Sequence, residues 1–225
     1  MVIENSGRGM KRILFFGVME LIMSMTVLVP VTKAGLISVI SGTSAPAATL
    51  CSYEMTPFAE DLRQVLQEYS FVASPLGGNI TFNMPLEHRS VPEQWLFWSH
   101  GYSGDVYWTG ENGGVINMTM PSGTVAFYFY AEPRDAGVQT ITAVAFDGVS
   151  DIEIISQDID CNKGASYFGF YGTGGSVITD IMVYSEKNDL AIGEFGISMI
   201  PVPEALLLSN IGLSLVIELK RYRIL

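Results

Sequence analysis

The sequence predicts an all-β fold, an antiparallel β-sandwich or jelly roll, on three observations. From Asn79 onward, short runs rich in β-branched and aromatic residues follow one another. Clusters of Gly, Asn, Asp and Pro part them, as at Glu111-Asn112-Gly113-Gly114, Pro121-Ser122-Gly123, Pro133–Gly137 and Gly172–Gly175. Within a run the apolar residues alternate: Ile116, Met118 and Met120 point one way, Asn117 and Thr119 the other. Period two, frequent turn signals and no helical spacing between runs read as antiparallel sheets packed face to face.

The elements follow in chain order. Met10-Lys11-Arg12 and the apolar run Ile13–Val31 form a signal peptide, with Thr32-Lys33-Ala34 as its cleavage site. Residues 1–34 are therefore the export segment, and Met10 is the alternative start. An uncleaved N-terminal anchor is the competing reading. Residues 35–78 form an arm, flexible over Ser41–Ala48. One short helix is predicted there, with Thr56 as cap, Pro57 in the first turn and Leu62, Val65, Leu66 and Tyr69 at helical spacing. Residues 79–199 form the sandwich. Its predicted strands are Trp95–His100, Asp105–Thr109, Val115–Met120, Thr124–Glu132, Val138–Phe146, Ser166–Tyr171, Val177–Ser185 and Leu190–Ser198.

Residues 200–225 are a separate tail. Val202-Pro203-Glu204 precede an apolar stretch, and Lys220, Arg221 and Arg223 close it with positive charge. As a helix, Ala205–Leu219 would cover roughly 22 Å, short of the ~30 Å hydrocarbon core. The basic cluster would stay on the cytoplasmic side. This tail resembles the PEP-CTERM sorting signal of Gram-negative bacteria, with Ala205 in place of the family's second proline. The resemblance implies handling by signal peptidase and then an exosortase-like protease. It implies passage through the inner membrane and a final place at the cell surface or outside the cell. A tail kept as a membrane anchor is the alternative.

Composition supports export and limits the partners. Residues 35–200 hold 5 Lys/Arg against 19 Asp/Glu, a balance of −14, more acidic than the −11 of the whole chain. Such a body repels nucleic acid and anionic lipid. Cys51 and Cys161 are the only cysteines, and an even count in an oxidising compartment predicts one disulfide between them.

Three kinds of site are candidates. Trp95, Trp98, Tyr102, Tyr107 and Trp108 form an aromatic cluster on which pyranose rings could stack; the competing reading is that these rings fill the core. Asp147, Asp151, Glu153, Asp189 and Glu194 offer hard oxygen ligands that suit calcium, with solvated acidic loops as the competing reading. Catalytic residues are not expected. His88 and His100 are the only histidines, and Gly101-Tyr102-Ser103-Gly104 lacks the context of a nucleophile elbow.

The body also resembles a group of uncharacterised exported bacterial proteins. The blocks that carry this are Trp95–Tyr107, Phe127–Pro133, Gly169–Gly174 and Ala191–Gly196. The resemblance implies a sandwich of the carbohydrate-binding-module type and no particular activity. The expected function is non-catalytic binding of extracellular polysaccharide. A purely structural envelope or matrix component is the second reading, and a secreted glycoside hydrolase the third.

Overall fold

A computed structural model of the chain describes residues 34–111, 113–187 and 189–200. The export segment and the sorting residues Val202, Pro203, Glu204, Lys220, Arg221 and Arg223 lie outside them, and so do the expected terminal helices. Among the described residues no helix is long and apolar enough to cross a membrane.

The fold is all-β. Its strands are β1 (Gly35–Ile40), β2 (Thr49–Leu50), β3 (Tyr53–Glu54), β4 (Thr56–Pro57), β5 (Glu68–Ala73), β6 (Asn79–Ser90) and β7 (Asp105–Trp108). They continue with β8 (Ile116–Thr119), β9 (Thr124–Pro133), β10 (Val138–Phe146), β11 (Ile152–Asp160), β12 (Ser166–Thr173), β13 (Asp180–Ser185) and β14 (Leu190–Met199). One antiparallel sheet runs β1-β12-β9-β14-β7-β6-β8-β13-β10-β11, with β4 added on β14 and β5 on β6. β2 and β3 make a separate hairpin. The sheet folds over until its two ends meet: Ser38 of β1 donates from Oγ to Glu153 Oε1 of β11 at 2.7 Å. The result is sandwich-like and nearly closed.

Alternation explains the core. Phe127, Phe129 and Ala131 of β9 point inward and join Phe168 and Phe170 of β12, Ile141 and Ala143 of β10, and Ile192 and Ile197 of β14. The Phe129 and Phe168 rings stack with centroids 5.3 Å apart. The other face of β9 carries Tyr128 and Tyr130, and it is buried too, because Leu50 and Met55 of the hairpin region cover it. A strand covered on both faces is apolar or aromatic throughout, and that is how β9 reads. A third cluster, Val91, Trp95, Val106, Trp108 and Ala191, lies where residues 91–102 cover the outer face of β7 and β14.

Three expectations are corrected. The helix over Thr56–Tyr69 does not form. Thr56 and Pro57 pair with Ile197 and Gly196 of β14, Leu66 has a φ of +59°, and Leu62 and Leu66 of the expected apolar face are in water, Leu62 89% exposed. Trp95–His100 is a loop. The N–H groups of Gln94 and Trp95 go to Ser90 O in a local turn, and His100 has a φ of +41°, so the backbone is committed away from a ladder. Cys51 and Cys161 are unpaired thiols. Cys51 lies beside Tyr171. Cys161 precedes Ser166, at the opposite end of β12, and its N–H meets Gly137 O. Ser166 to Tyr171 spans roughly 17 Å of strand, far more than a disulfide can bridge.

Residues 35–78, expected as an arm, supply β1 to β5 of this fold. Ser41–Ala48 is tied down: Tyr167 N–H donates to Gly42 O at 2.8 Å, Tyr130 O–H donates to Ser44 O, and Met55 N–H reaches Ala48 O at 2.9 Å.

Gly196 admits the Tyr128 ring against its own backbone, where an added Cβ would collide with the ring carbons. Gly196→Ala is expected to destabilise by about 1–3 kcal/mol through overpacking. A lowered urea midpoint with an unchanged slope would report it. Pairing it with Tyr128→Ala should cost less than the sum of the two single changes, because the clash is then absent.

Candidate functional site

The site is built on an interruption in β14. Along one edge β14 pairs with β9. The other edge is divided: Ala191–Gly193 pair with β7, and Gly196-Ile197 pair with β4. Glu194 and Phe195 fall in the gap, where the register with β9 also shifts between Gly193 and Gly196. Phe195 O accepts there from Phe58 N–H at 2.9 Å. Glu194 takes a φ of +51°, a left-handed conformation that side-chain-bearing residues seldom adopt outside functional or bulged positions. Phe195 turns into the core, and Glu194 turns to the opposite side.

A cleft of about 630 Å³ opens at this gap, walled by Phe58, Glu60, Glu93, Tyr102, Asp105 and Glu194 among others. Among the described residues no Lys or Arg lines it. Tyr102 is half-buried on its wall. Its ring rests against Gly104, where an added Cβ would stand 2.5 Å from the phenolic oxygen, and its hydroxyl donates to Asp105 O at 3.1 Å.

Behind the cleft lie two carboxylate–histidine pairs. Asp105 Oδ1 meets His88 Nε2 at 2.7 Å, and Asp105 Oδ2 accepts from Asp61 N–H at 2.7 Å. Asp61 in turn accepts from Arg63 and from Tyr107 O–H, the latter at 2.7 Å. Burial opposes the charge on Asp61, but the hydrogen bonds from Arg63 and Tyr107 outweigh it and hold that carboxyl well below the usual range. In the second pair, Glu194 Oε1 meets His100 Nε2 at 2.7 Å and Oε2 accepts from Trp98 Nε1–H at 3.1 Å. His100 Nδ1 donates to Thr43 O at 3.2 Å, which fixes the ring between Glu194 and the 41–48 segment. Burial pushes Glu194 up, and the bonds from His100 and Trp98 offset part of that.

The five aromatic residues singled out in the sequence do not form an exposed platform. Trp95, Tyr107 and Trp108 are buried, and Trp98 and Tyr102 are half-buried. Each polar ring atom has a partner: Trp95 donates to Glu132 at 2.7 Å and Trp108 to Asp189 at 2.6 Å. Tyr102 and Tyr107 belong to the cleft. Trp95 lines a second pocket of about 280 Å³ over which Leu96 and Phe97 stand exposed. Trp98 and His100 do converge, on Glu194, through loop geometry rather than strand alternation.

The five expected calcium ligands are likewise apart. Asp147 caps its own turn, accepting from Val149, Ser150 and Asp151 N–H at 2.8, 2.9 and 3.0 Å. Glu153 serves Ser38, Asp189 serves Trp108 and Glu194 serves His100. Among the described residues no group of three or more His, Cys, Asp or Glu side chains could hold a metal ion.

Sequence reasoning missed Phe58, Glu60 and Glu93, which scattered loops bring to the cleft. A signal for the gap was present: Gly193 and Gly196 flank Glu194 and Phe195 inside a strand, and glycine there often marks a bulge.

No family model matches the chain, and no curated protein matches it. Among solved structures it is similar to the N-terminal CBM22-1–GH10 modules of endo-1,4-beta-D-xylanase 10B from Clostridium thermocellum, crystallised with xylohexaose. Identity is 10% and the TM-score 0.33, over 52% of this chain and 25% of that one. The likeness spans a quarter of that protein and transfers neither residues nor activity.

Glu132, buried beneath the second pocket, gives a pH signature. Burial pushes its carboxyl up from 4.5 to about 7, and the Trp95 hydrogen bond offsets only part of this. Between those values the folded state holds a proton that the unfolded chain has released. Stability from this group is therefore full below 4.5 and falls as pH rises toward 7, by about 3 kcal/mol in all. Glu132→Gln keeps an acceptor for Trp95 and cannot ionise. Its stability relative to wild type, from urea midpoints, should rise between pH 4.5 and 7. A constant difference would show that Glu132 ionises normally.

Proposed function

We propose that this protein is an exported, non-catalytic module that binds extracellular polysaccharide in the cleft beside Glu194. The observation that carries the reading is the composition of the cleft wall. Tyr102 and Phe58 offer apolar ring surface for a sugar face, while Glu60 and Glu93 offer exposed acceptors for hydroxyls. With four carboxylates and no Lys or Arg in the lining, the cleft disfavours polyanions and suits neutral sugar residues.

The carboxylates favour binding over hydrolysis. Both oxygens of Asp105 and both of Glu194 already have protein partners. A glycosidase acid or nucleophile must aim an oxygen or a proton at the scissile bond, and at Asp105 and Glu194 those positions are occupied by histidine, indole and backbone groups. Their role is to hold the walls.

Affinity electrophoresis through gels containing a neutral polysaccharide tests the cleft. Retardation by such a gel is expected, with Tyr102→Ala and the Glu60→Gln/Glu93→Gln double variant each losing most of it while circular dichroism stays unchanged. Retardation undiminished in both variants would remove the cleft from the function. Absence of retardation by every glycan, with concentration-dependent self-association instead, would favour the structural reading.

The sorting half of the proposal rests on the residue pattern at the two ends. Signal peptidase and an exosortase-like protease are the expected partners, with the cell surface or medium of a Gram-negative bacterium as destination. The intact mass of protein recovered from its host should lack both ends, with cleavage after Ala34 and near residue 200. A mass that keeps both would mean two membrane anchors.

A further inference from the structure

We propose that the second pocket is a separate binding site for a carboxylate-bearing sugar, a uronic acid residue, with Arg134 as anion ligand and Phe97 as stacking surface. The inference goes beyond the cleft and rests on the polysaccharide reading only in naming a sugar.

Charge distribution is the first argument. Residues 35–200 contain 5 Lys/Arg against 19 Asp/Glu, yet Arg89 and Arg134 both line this pocket of about 280 Å³. Their guanidinium carbons stand 4.0 and 4.3 Å from the Trp108 ring centre. The two are not equivalent. Arg89 is committed to the fold, since its Nε donates to Glu87 Oε1 at 2.6 Å. Arg134 has no carboxylate within ion-pair distance among the described residues. Its neighbour Asp135 is taken by Lys187 at 2.8 Å, and the buried Glu132 carboxyl faces Trp95 Nε1. The Arg134 guanidinium, 4.3 Å from the Trp108 ring centre, feels Asp135 only as a nearby charge and holds no ion pair among the described residues. Its N–H edge stays available for two parallel bonds to one carboxylate.

The rim supplies the second argument. Phe97 is 61% and Leu96 73% exposed, side by side over the pocket. They are the only lining residues with large apolar surface in water. An apolar face beside the Arg134 guanidinium matches a uronic acid, whose ring presents a C–H face and whose carboxylate projects from its edge. The pocket volume suits one residue of a chain rather than an extended polymer segment. Uronate recognition here and neutral-sugar recognition at the cleft would let one module grip a polysaccharide of mixed charge.

Calorimetry with trigalacturonic acid, and with the same trisaccharide after reduction of its carboxyls to alcohols, provides the test. The charged trimer is expected to bind more tightly, by about tenfold or more, the worth of a charge-assisted bidentate contact. Arg134→Ala and Phe97→Ala should each lose about tenfold, Arg134→Lys somewhat less, and added salt should weaken binding. Both side chains are exposed, and a circular dichroism spectrum unchanged from wild type confirms that each variant folds. Arg134→Ala should keep its retardation by neutral polysaccharide, so failure at this pocket and failure at the cleft are read separately. Equal affinity for both trimers would overturn the proposal, as would uronate binding unaffected by both variants or lost equally in Tyr102→Ala. Equally tight binding of a triglutamate peptide would assign the pocket to acidic peptides and overturn the sugar.

Discussion

The divided edge of β14 is the constraint on which the rest of the molecule depends. A strand in the middle of a sheet normally has two continuous partners. β14 has one in β9, but its other edge passes from β7 to β4 with Glu194 and Phe195 between them. Gly193 lets the β7 backbone approach, for an added Cβ would lie 2.6 Å from Asp105 O. Gly196 takes the Tyr128 ring on the far side of the gap. Between these two close approaches the backbone has no regular solution, and Glu194 accepts a positive φ. The cleft is the space this leaves.

An opening in a sheet exposes unpaired backbone and loosens the walls, so it must be braced. Two polar chains do this from opposite sides. On one side Arg63, Asp61, Asp105 and His88 link the 58–66 loop to β6 and β7, with Tyr107 added from the core. On the other side Trp98 and His100 bring the 91–104 loop onto Glu194, and His100 also holds the 41–48 segment through Thr43. Breaking a buried pair of this kind by deleting one partner is costly because the other is left unpaired. The same bonds that steady the walls occupy the oxygens of Asp105 and Glu194.

Much of the sheet was legible in the sequence and much of the site was not. Seven of the predicted strands coincide with β7, β8, β9, β10, β12, β13 and β14 to within a few residues, because alternation and turn clusters are local signals. β6 and β11 were overlooked for different reasons. Met84-Pro85 interrupts one run, and Glu153, Asp158 and Asp160 break the apolar character of the other, although Ile155 and Ile159 keep its inward period. The aromatic cluster was found but misread. Composition cannot say which side of a loop faces water, and the loop over β7 places Trp95 and Trp108 inside while leaving Leu96 and Phe97 outside.

By itself, then, the sequence determined seven of the strands, the turns between them, the acidic surface and the pattern of the two ends, since each is written in neighbouring residues. Only the tertiary structure decided which strands meet, that Cys51 and Cys161 stand at opposite ends of β12, that Glu194 receives Trp98 and His100, and that Arg134 rests on Trp108 with no carboxylate at ion-pair distance among the described residues. Those facts join residues dozens of positions apart. They follow from which non-neighbouring strands pair and from sheet closure, and runs of adjacent residues report neither.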